Sequence, residues 1–201
     1  LDVLSGFGEL QIEDSQFRIV PRARNPVLIP RVDLRLRVKN KRLSVGIRAE
    51  AKRGDTPLFA VIDFTRPDMS GKLWLGGKRL HVDQWLALFP DIKVAAIRSE
   101  TRMDVWADIE MRRIMRAHGK LEIEDLSRIG DAKTDGGQEH RRLYDSIQGE
   151  WRWQRSADGW TTHIPEIIFS SNDEESHSVR DVRFSYRENR WRAQAASIDI
   201  Q

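Results

Sequence analysis

A strict alternation of apolar and polar residues constrains this chain more than any other feature. From Leu28 to Val38 every second residue is apolar, and charged residues fill the positions between them from Arg31 onward. The alternation resumes from Leu43 to Ala51 after a polar break at Lys39–Arg42. Because successive side chains of a strand point to opposite faces of a sheet, this pattern predicts a hairpin with one apolar and one charged face.

The longest alternating stretch runs from Ile97 to Met111. Its apolar phase includes Val105 and Ile109, and charged residues occupy most of the other phase. Fifteen residues at about 3.3 Å each span about 50 Å, whereas most strands contain about five or six residues. A strand of this length is expected to bend or to carry bulges, and the pair Arg112–Arg113 breaks the alternation as a bulge would.

The C-terminal quarter of the chain repeats itself. Residues 151–167 and 182–198 align at a constant offset of 31, which matches Trp160 with Trp191. Each copy contains a strand, a polar turn, a tryptophan and a second strand, which is typical of an antiparallel meander. One segment, HVDQWLALFP at 81–90, has the apolar spacing of a helix that ends at proline. The chain is therefore expected to contain roughly ten to twelve strands and one short helix, in a single domain spanning residues 1–201.

Composition and motifs argue against several functional classes. The net charge is only +3 over 201 residues, which does not favour nucleic acid as a partner, and the absence of cysteine excludes disulfides and thiolate metal sites. No nucleotide-binding loop or nucleophile motif is present, and Glu122 and Glu124 belong to the polar phase of a strand. The acidic stretch 173–177 lacks the ligand spacing of a calcium loop. We therefore expect a protein that is not an enzyme and has no catalytic residue, metal or cofactor.

The apolar face of the predicted sheet must be kept from water, and three architectures would do this. A β-sandwich buries the face against a second sheet, and a closed barrel buries it inside. A long sheet that curls into an open trough would instead shield a ligand with apolar chains. The length of the strand at 97–111 and the repeated hairpins favour the curved, open sheet. Trp74 and Trp106 lie in the polar phase of their strands, where they could form a sugar platform, be covered by another element or mark a rim.

One segment carries a resemblance to a known family. GKLWLGGKRLHVDQWLALFP at 71–90 resembles a signature segment of the AsmA-like proteins of Gram-negative bacteria. A Gly-x-Leu-x-Leu strand precedes a helix with the pattern Val-Asp-x-x-Trp-Leu. The matching helix residues are Val82, Asp83, Trp85 and Leu86.

The order of the following elements is similar to that of the YhdP branch, which belongs with TamB among the bridge-like lipid transfer proteins. A long strand pair at 97–123 is followed by a polar loop and then by a strand, Asp-Gly-Trp and a second strand at 151–167. The resemblance covers roughly residues 5–200, and the order of the short motifs is more specific than any one of them. The charged loop at 130–142 and the many arginines depart from a simple lipid trough.

The resemblance implies a segment of a longer periplasmic protein, anchored in the inner membrane by an N-terminal helix outside this chain. It implies a long, curved antiparallel sheet, or β-taco, whose open apolar groove carries phospholipid toward the outer membrane. The alternative function is that of a β-sandwich module that binds carbohydrate or protein in the cell envelope. On the groove hypothesis, alternation predicts the residues that line it. They are Leu34, Leu36, Val38, Val45, Ile47, Ile62, Leu73, Met103, Val105, Ile109, Leu121 and Ile123.

Overall fold

A computed structural model describes residues 8–20, 26–65, 68, 70–88, 97–129, 140–171 and 174–199. These residues form one sheet and one short helix. The strands are β1 (Glu9–Ile19), β2 (Val27–Lys39), β3 (Arg42–Glu50), β4 (Leu58–Thr65), β5 (Ser70–His81), β6 (Ile97–Glu110), β7 (Arg113–Ile129), β8 (His140–Arg155), β9 (Gly159–Ser171), β10 (Glu174–Arg187), β11 (Arg190–Gln194) and β12 (Ser197–Asp199). The helix is α1 (Val82–Ala87).

Strands β1 to β11 follow one another across the sheet in chain order, and each pair of neighbours is antiparallel. β12 continues the same edge, because it pairs with β10 beyond the stretch that β11 occupies. β1 does not pair with β11 or β12, so the sheet is open and is not a barrel. The prediction of a mainly β fold with one long antiparallel sheet is confirmed.

The sheet is a single layer, and it curves. Strand neighbours supply the contacts between elements, and α1 lies against β6. Within the described residues no second sheet lies over either face. Even so, Val32 is only 3% exposed and Leu43 only 6%. Side chains on a flat single layer would stand open to water, so the twist and bending of the sheet and the neighbouring side chains together cover these positions.

Two of the predicted strands agree closely with the structure, and one detail is wrong. The alternating stretches from Leu28 and from Leu43 form β2 and β3, joined at Asn40 with φ of 56°. The break after Met111 is a turn, however, and not a bulge at Arg112–Arg113. Met111 and Arg112 both have positive φ, 47° and 65°, as a type I′ turn requires, and Arg113 begins β7. Two different strands therefore meet at this turn, as the strand pair at 97–123 implied by the resemblance requires and unlike a bulge within one strand.

Bulges bend several strands away from a straight course. Asp14, Arg79, Asp125 and Asp181 each have a φ near 50° inside a strand. Aspartate tolerates this left-handed conformation better than most residues do. Asp14 lies between the paired residues Ile12 and Ser15 of β1, and Asp181 lies between the paired residues Arg180 and Val182 of β10, at the same level of the sheet. Arg79 on β5 and Asp125 on β7 lie a few residues further along their strands. Since a bulged strand bends and twists more strongly, these positions help to curve the sheet along the strand direction.

Candidate functional site

One row of side chains crosses the apolar face from β1 to β11. Direct cross-strand partners share a face of the sheet, so a chain of such partners defines a row. The row consists of Leu10, Leu36, Val45, Ile62, Leu73, Ala107, Ala117, Trp153, Thr162, Phe184 and Ala193. We call it the central row. It contains no charged residue, and at about 4.8 Å per strand it is about 48 Å long.

The structure places all twelve predicted lining residues on the face that carries the central row. Four of them, Leu36, Val45, Ile62 and Leu73, belong to the row itself. The other eight lie two, four or six residues from a member of the row on the same strand, or are direct partners of such residues. They are Leu34, Val38, Ile47, Met103, Val105, Ile109, Leu121 and Ile123. Alternation therefore identified a real common face, while contact of these residues with lipid stays a prediction.

The apolar face extends beyond the predicted residues into the C-terminal strands. Trp151 is the direct partner of Gly119, and Ile147 is the partner of both Ile123 and Phe169. Sequence reasoning missed these side chains as lining residues. The alternation of residues 147–153 carries the signal, because Ile147, Gly149, Trp151 and Trp153 are two apart.

The sequence repeat brings three aromatic rings together at the β11 edge. Trp160 and Trp191 each follow a hairpin turn, and Tyr186 lies between them as the direct partner of both. The ring centroids of the two tryptophans are 5.1 Å apart in an edge-to-face arrangement. The centroid of Tyr186 is 5.3 Å from that of Trp191, which is 68% exposed. This aromatic cluster closes the apolar face at one corner of the sheet.

The apolar face is accessible as well as continuous. Leu121 is 37% exposed, and most of the other predicted lining residues are half-buried. Ala107, near the middle of the central row, is only 5% exposed. A shallow surface of this kind presents many weak apolar contacts. The guanidinium group of Arg155, 6.0 Å from the centroid of the Trp153 ring, places one charge beside the β8 end of the central row.

The opposite face carries the charges. Glu9 accepts hydrogen bonds from Arg35 at 2.6 Å and from Arg37 at 3.1 Å, and these two contacts lower the pKa of Glu9. Glu50 is the one carboxylate that is almost wholly buried among the described residues, at 1% exposed. Arg48 donates to Glu50 at 2.5 Å, and the backbone N–H of Gly54 donates at 2.8 Å, which ties the β3–β4 loop to the sheet.

Trp74 and Trp106 lie on this charged face, as their phase in the sequence predicted. The ring of Trp106 stacks on His118, with centroids 5.2 Å apart and planes 14° apart. The indole N–H of Trp74 donates to Asp104 at 3.2 Å. One face of the Trp106 ring is thus occupied by a neighbour within the sheet, which makes a flat sugar platform at this position a poorer fit.

Some features predicted from the sequence lie outside the described residues. They are residues 130–139 of the loop predicted at 130–142, residues 172–173 and Pro90, the residue predicted to end the helix. The rest of that loop, from His140, begins β8, and the acidic stretch from Glu174 to His177 begins β10 and is not a turn. In the part of the chain that is described, no three acidic or histidine side chains converge as metal ligands would. The only helix there, α1, has six residues, and no helix is long and apolar enough to cross a bilayer.

Comparisons with known proteins add no family assignment. No family model, curated protein or solved structure matches this chain.

Proposed function

We propose that this chain is a segment of a lipid-transport groove and that its apolar face shields the acyl chains of phospholipids. The observation that supports this best is the central row, eleven directly paired positions without a charge on a face that no second layer of the described chain covers. Soluble monomers rarely leave a continuous apolar face of such length unoccupied.

The energetics of acyl chains favour a long row over a single pocket. Keeping one CH₂ group out of water is worth about 0.8 kcal/mol, so two chains of about 16 carbons require on the order of 25 kcal/mol of shielding. A row about 48 Å long distributes this over many side chains. Similar apolar contacts at every strand would let a lipid move along the groove without a deep minimum at one position.

The placement in the cell follows from the resemblance to AsmA-like proteins. We propose a periplasmic location, an inner-membrane anchor outside this chain and a contact with the outer membrane. The proposal assigns no enzymatic step, metal, cofactor or nucleic acid to the segment.

The alternative of a β-sandwich binding module fits the geometry less well. A sandwich needs a second sheet packed on the apolar face, and the described residues form one sheet. A second alternative, an envelope spacer without a ligand, agrees with the fold equally well. It differs from the groove in predicting that no lipid occupies the apolar face.

Photo-crosslinking in cells separates the groove from the spacer. A crosslinking amino acid at Val105 or Ile109, on the apolar face, is expected to capture phospholipid. The same group at Arg35 or Asp104, on the charged face, is the matched control and is expected to capture little. Equal capture from both faces, or no lipid from either, would refute the groove.

A further inference from the structure

Four arginines surround Ser185 on the charged face, near the β11 edge. Arg183 and Arg187 are two residues before and after Ser185 on β10, and Arg192 is its direct partner on β11. Positions two apart on a strand and direct cross-strand partners share a face. Arg190, the direct partner of Arg187, adds the fourth guanidinium group. We call these four residues the arginine cluster.

The centre of the arginine cluster is lined by small polar residues. Thr161 is the direct partner of Ser185 on β9, and Gly159 is the partner of Arg187. The short side chains leave a hollow of 590 Å³ between the arginines. Its remaining lining residues are Asp158, Thr162, His163, Phe184, Glu188 and Gln194. The hydroxyl residues Ser185 and Thr161 therefore line the hollow together with the four arginines and with two acidic residues, Asp158 and Glu188.

The positive charge of the cluster is only partly compensated. Arg183 forms an ion pair with Asp181 at 3.0 Å. Among the described residues, no ion pair within 4.0 Å involves Arg187, Arg190 or Arg192. Asp158 offsets part of the charge, since a hydrogen bond from Ser156 and the nearby charge of Arg187 both lower the pKa of that carboxyl. Arg187 and Arg190 are moreover direct cross-strand partners, and like charges in that relation destabilise a sheet. An anion at the centre would remove this repulsion.

The chemistry of the cluster indicates the type of anion. A guanidinium group offers a planar fork of N–H donors that matches two oxygens of a phosphate, and serine and threonine hydroxyls donate to the same oxygens. We propose that the arginine cluster around Ser185 is a binding site for a phosphate group. The four arginines lie at the sheet edge on the face opposite the central row, and the hollow also touches two members of that row, Thr162 and Phe184. This edge position leaves the site open to a free phosphate ester or to the headgroup of a lipid in a membrane. The site does not depend on the groove.

The first test measures binding of two probes. Inorganic phosphate is titrated calorimetrically, and vesicles of phosphatidylglycerol or of phosphatidylcholine are assayed by co-sedimentation. The double variant Arg190→Ala/Arg192→Ala is expected to bind at least about tenfold more weakly, since one lost charge-assisted hydrogen bond is worth roughly that factor. Arg102→Ala removes an exposed arginine of the same face on β6 and is expected to bind like the parent protein.

The two probes identify the source of the phosphate. Phosphate binding without vesicle binding assigns the site to soluble phosphate esters, and binding of phosphatidylglycerol vesicles through the same arginines assigns it to lipid headgroups. The proposal is overturned if neither phosphate probe binds, or if Arg102→Ala weakens binding as much as the double variant does. If polyglutamate binds where both phosphate probes fail, the cluster binds an acidic protein partner instead.

A second variant tests the geometry without requiring a ligand. Ser185→Asp places a carboxylate at the centre of the arginine cluster, and Ser185→Asn is its neutral control of similar size. The aspartate is expected to raise the melting temperature above that of the asparagine variant and to abolish phosphate binding, because it occupies the site itself. An aspartate variant that melts below the asparagine variant and still binds phosphate would overturn the proposal.

Discussion

Replacing Leu121 with aspartate distinguishes an open groove from a dry core. Leu121 lies on the apolar face, is the direct partner of Met103 and Gly149, and is 37% exposed. Full burial of a leucine is worth about 1.5–3 kcal/mol, and about two-thirds of this side chain is withdrawn from water. Leu121→Asp should therefore lower the free energy of unfolding by about 1–2 kcal/mol, since its carboxylate can still reach water.

Ala107→Asp supplies the contrast on the same face. Ala107 is 5% exposed, and its direct partners Leu73 and Ala117 offer no countercharge. An uncompensated buried charge costs about 3–5 kcal/mol. The loss of stability should thus be clearly larger than for Leu121→Asp.

Urea unfolding followed by tryptophan fluorescence measures both losses, and mass spectrometry of the purified protein measures bound lipid. If the proposed groove is correct, we expect the parent protein to co-purify with phospholipid and Leu121→Asp to fold and to carry less of it. Equal destabilisation by the two substitutions would show that Leu121 belongs to a closed core. A folded Leu121→Asp protein that carries as much lipid as the parent protein would show that acyl chains do not contact Leu121.

The remaining predictions concern backbone conformation and pH. At Asp181, whose φ is 52°, Asp181→Val should lower the free energy of unfolding by about 1–2 kcal/mol more than Asp181→Asn, because a β-branched residue is strained in the left-handed region. Chemical denaturation of the two variants measures the difference, and equal stabilities would contradict a left-handed conformation there. Hydrogen bonds from Arg35 and Arg37 lower the pKa of Glu9 from its ordinary value of 4.5. The stability that Glu9 contributes is therefore present above pH 4.5 and is lost as the pH falls through the lowered pKa. The urea concentration at the midpoint of unfolding should decrease as the pH is lowered from about 5 to about 3, and it should decrease less steeply for Glu9→Gln than for the parent protein. Identical slopes for the two proteins would mean that the contacts of Glu9 add nothing to stability.

The local pattern of the sequence was enough to predict much of the sheet and its apolar face. In a strand that is polar on one face and apolar on the other, the polarity of each residue shows which face it belongs to. Leu36, Val45 and Val105 could therefore be assigned to one face without coordinates. Turns were harder to predict from the same pattern. Met111 continues the apolar phase of β6, and nothing in the alternation shows that its φ is positive.

The arginine cluster could not be predicted, because it depends on register. Arg183, Arg187 and Arg192 are close in sequence, yet charged residues two apart are common on any solvated strand. Their convergence requires that Ser185 face Arg192 across a two-residue turn at Glu188–Asn189. Cross-strand pairing of this kind is fixed by turn geometry and not by composition.

The linear order of the strands has a consequence for how the sheet forms. Each of the strands from β2 to β9 pairs with the strands immediately before and after it in the chain. Contacts are therefore local in sequence, and folding can begin at any hairpin and spread by adding one strand at a time, as in repeat proteins. In such a nearest-neighbour array an interior strand such as β6 holds the two halves together, while β1 and β11, which have one neighbour each among the described residues, are expected to open first.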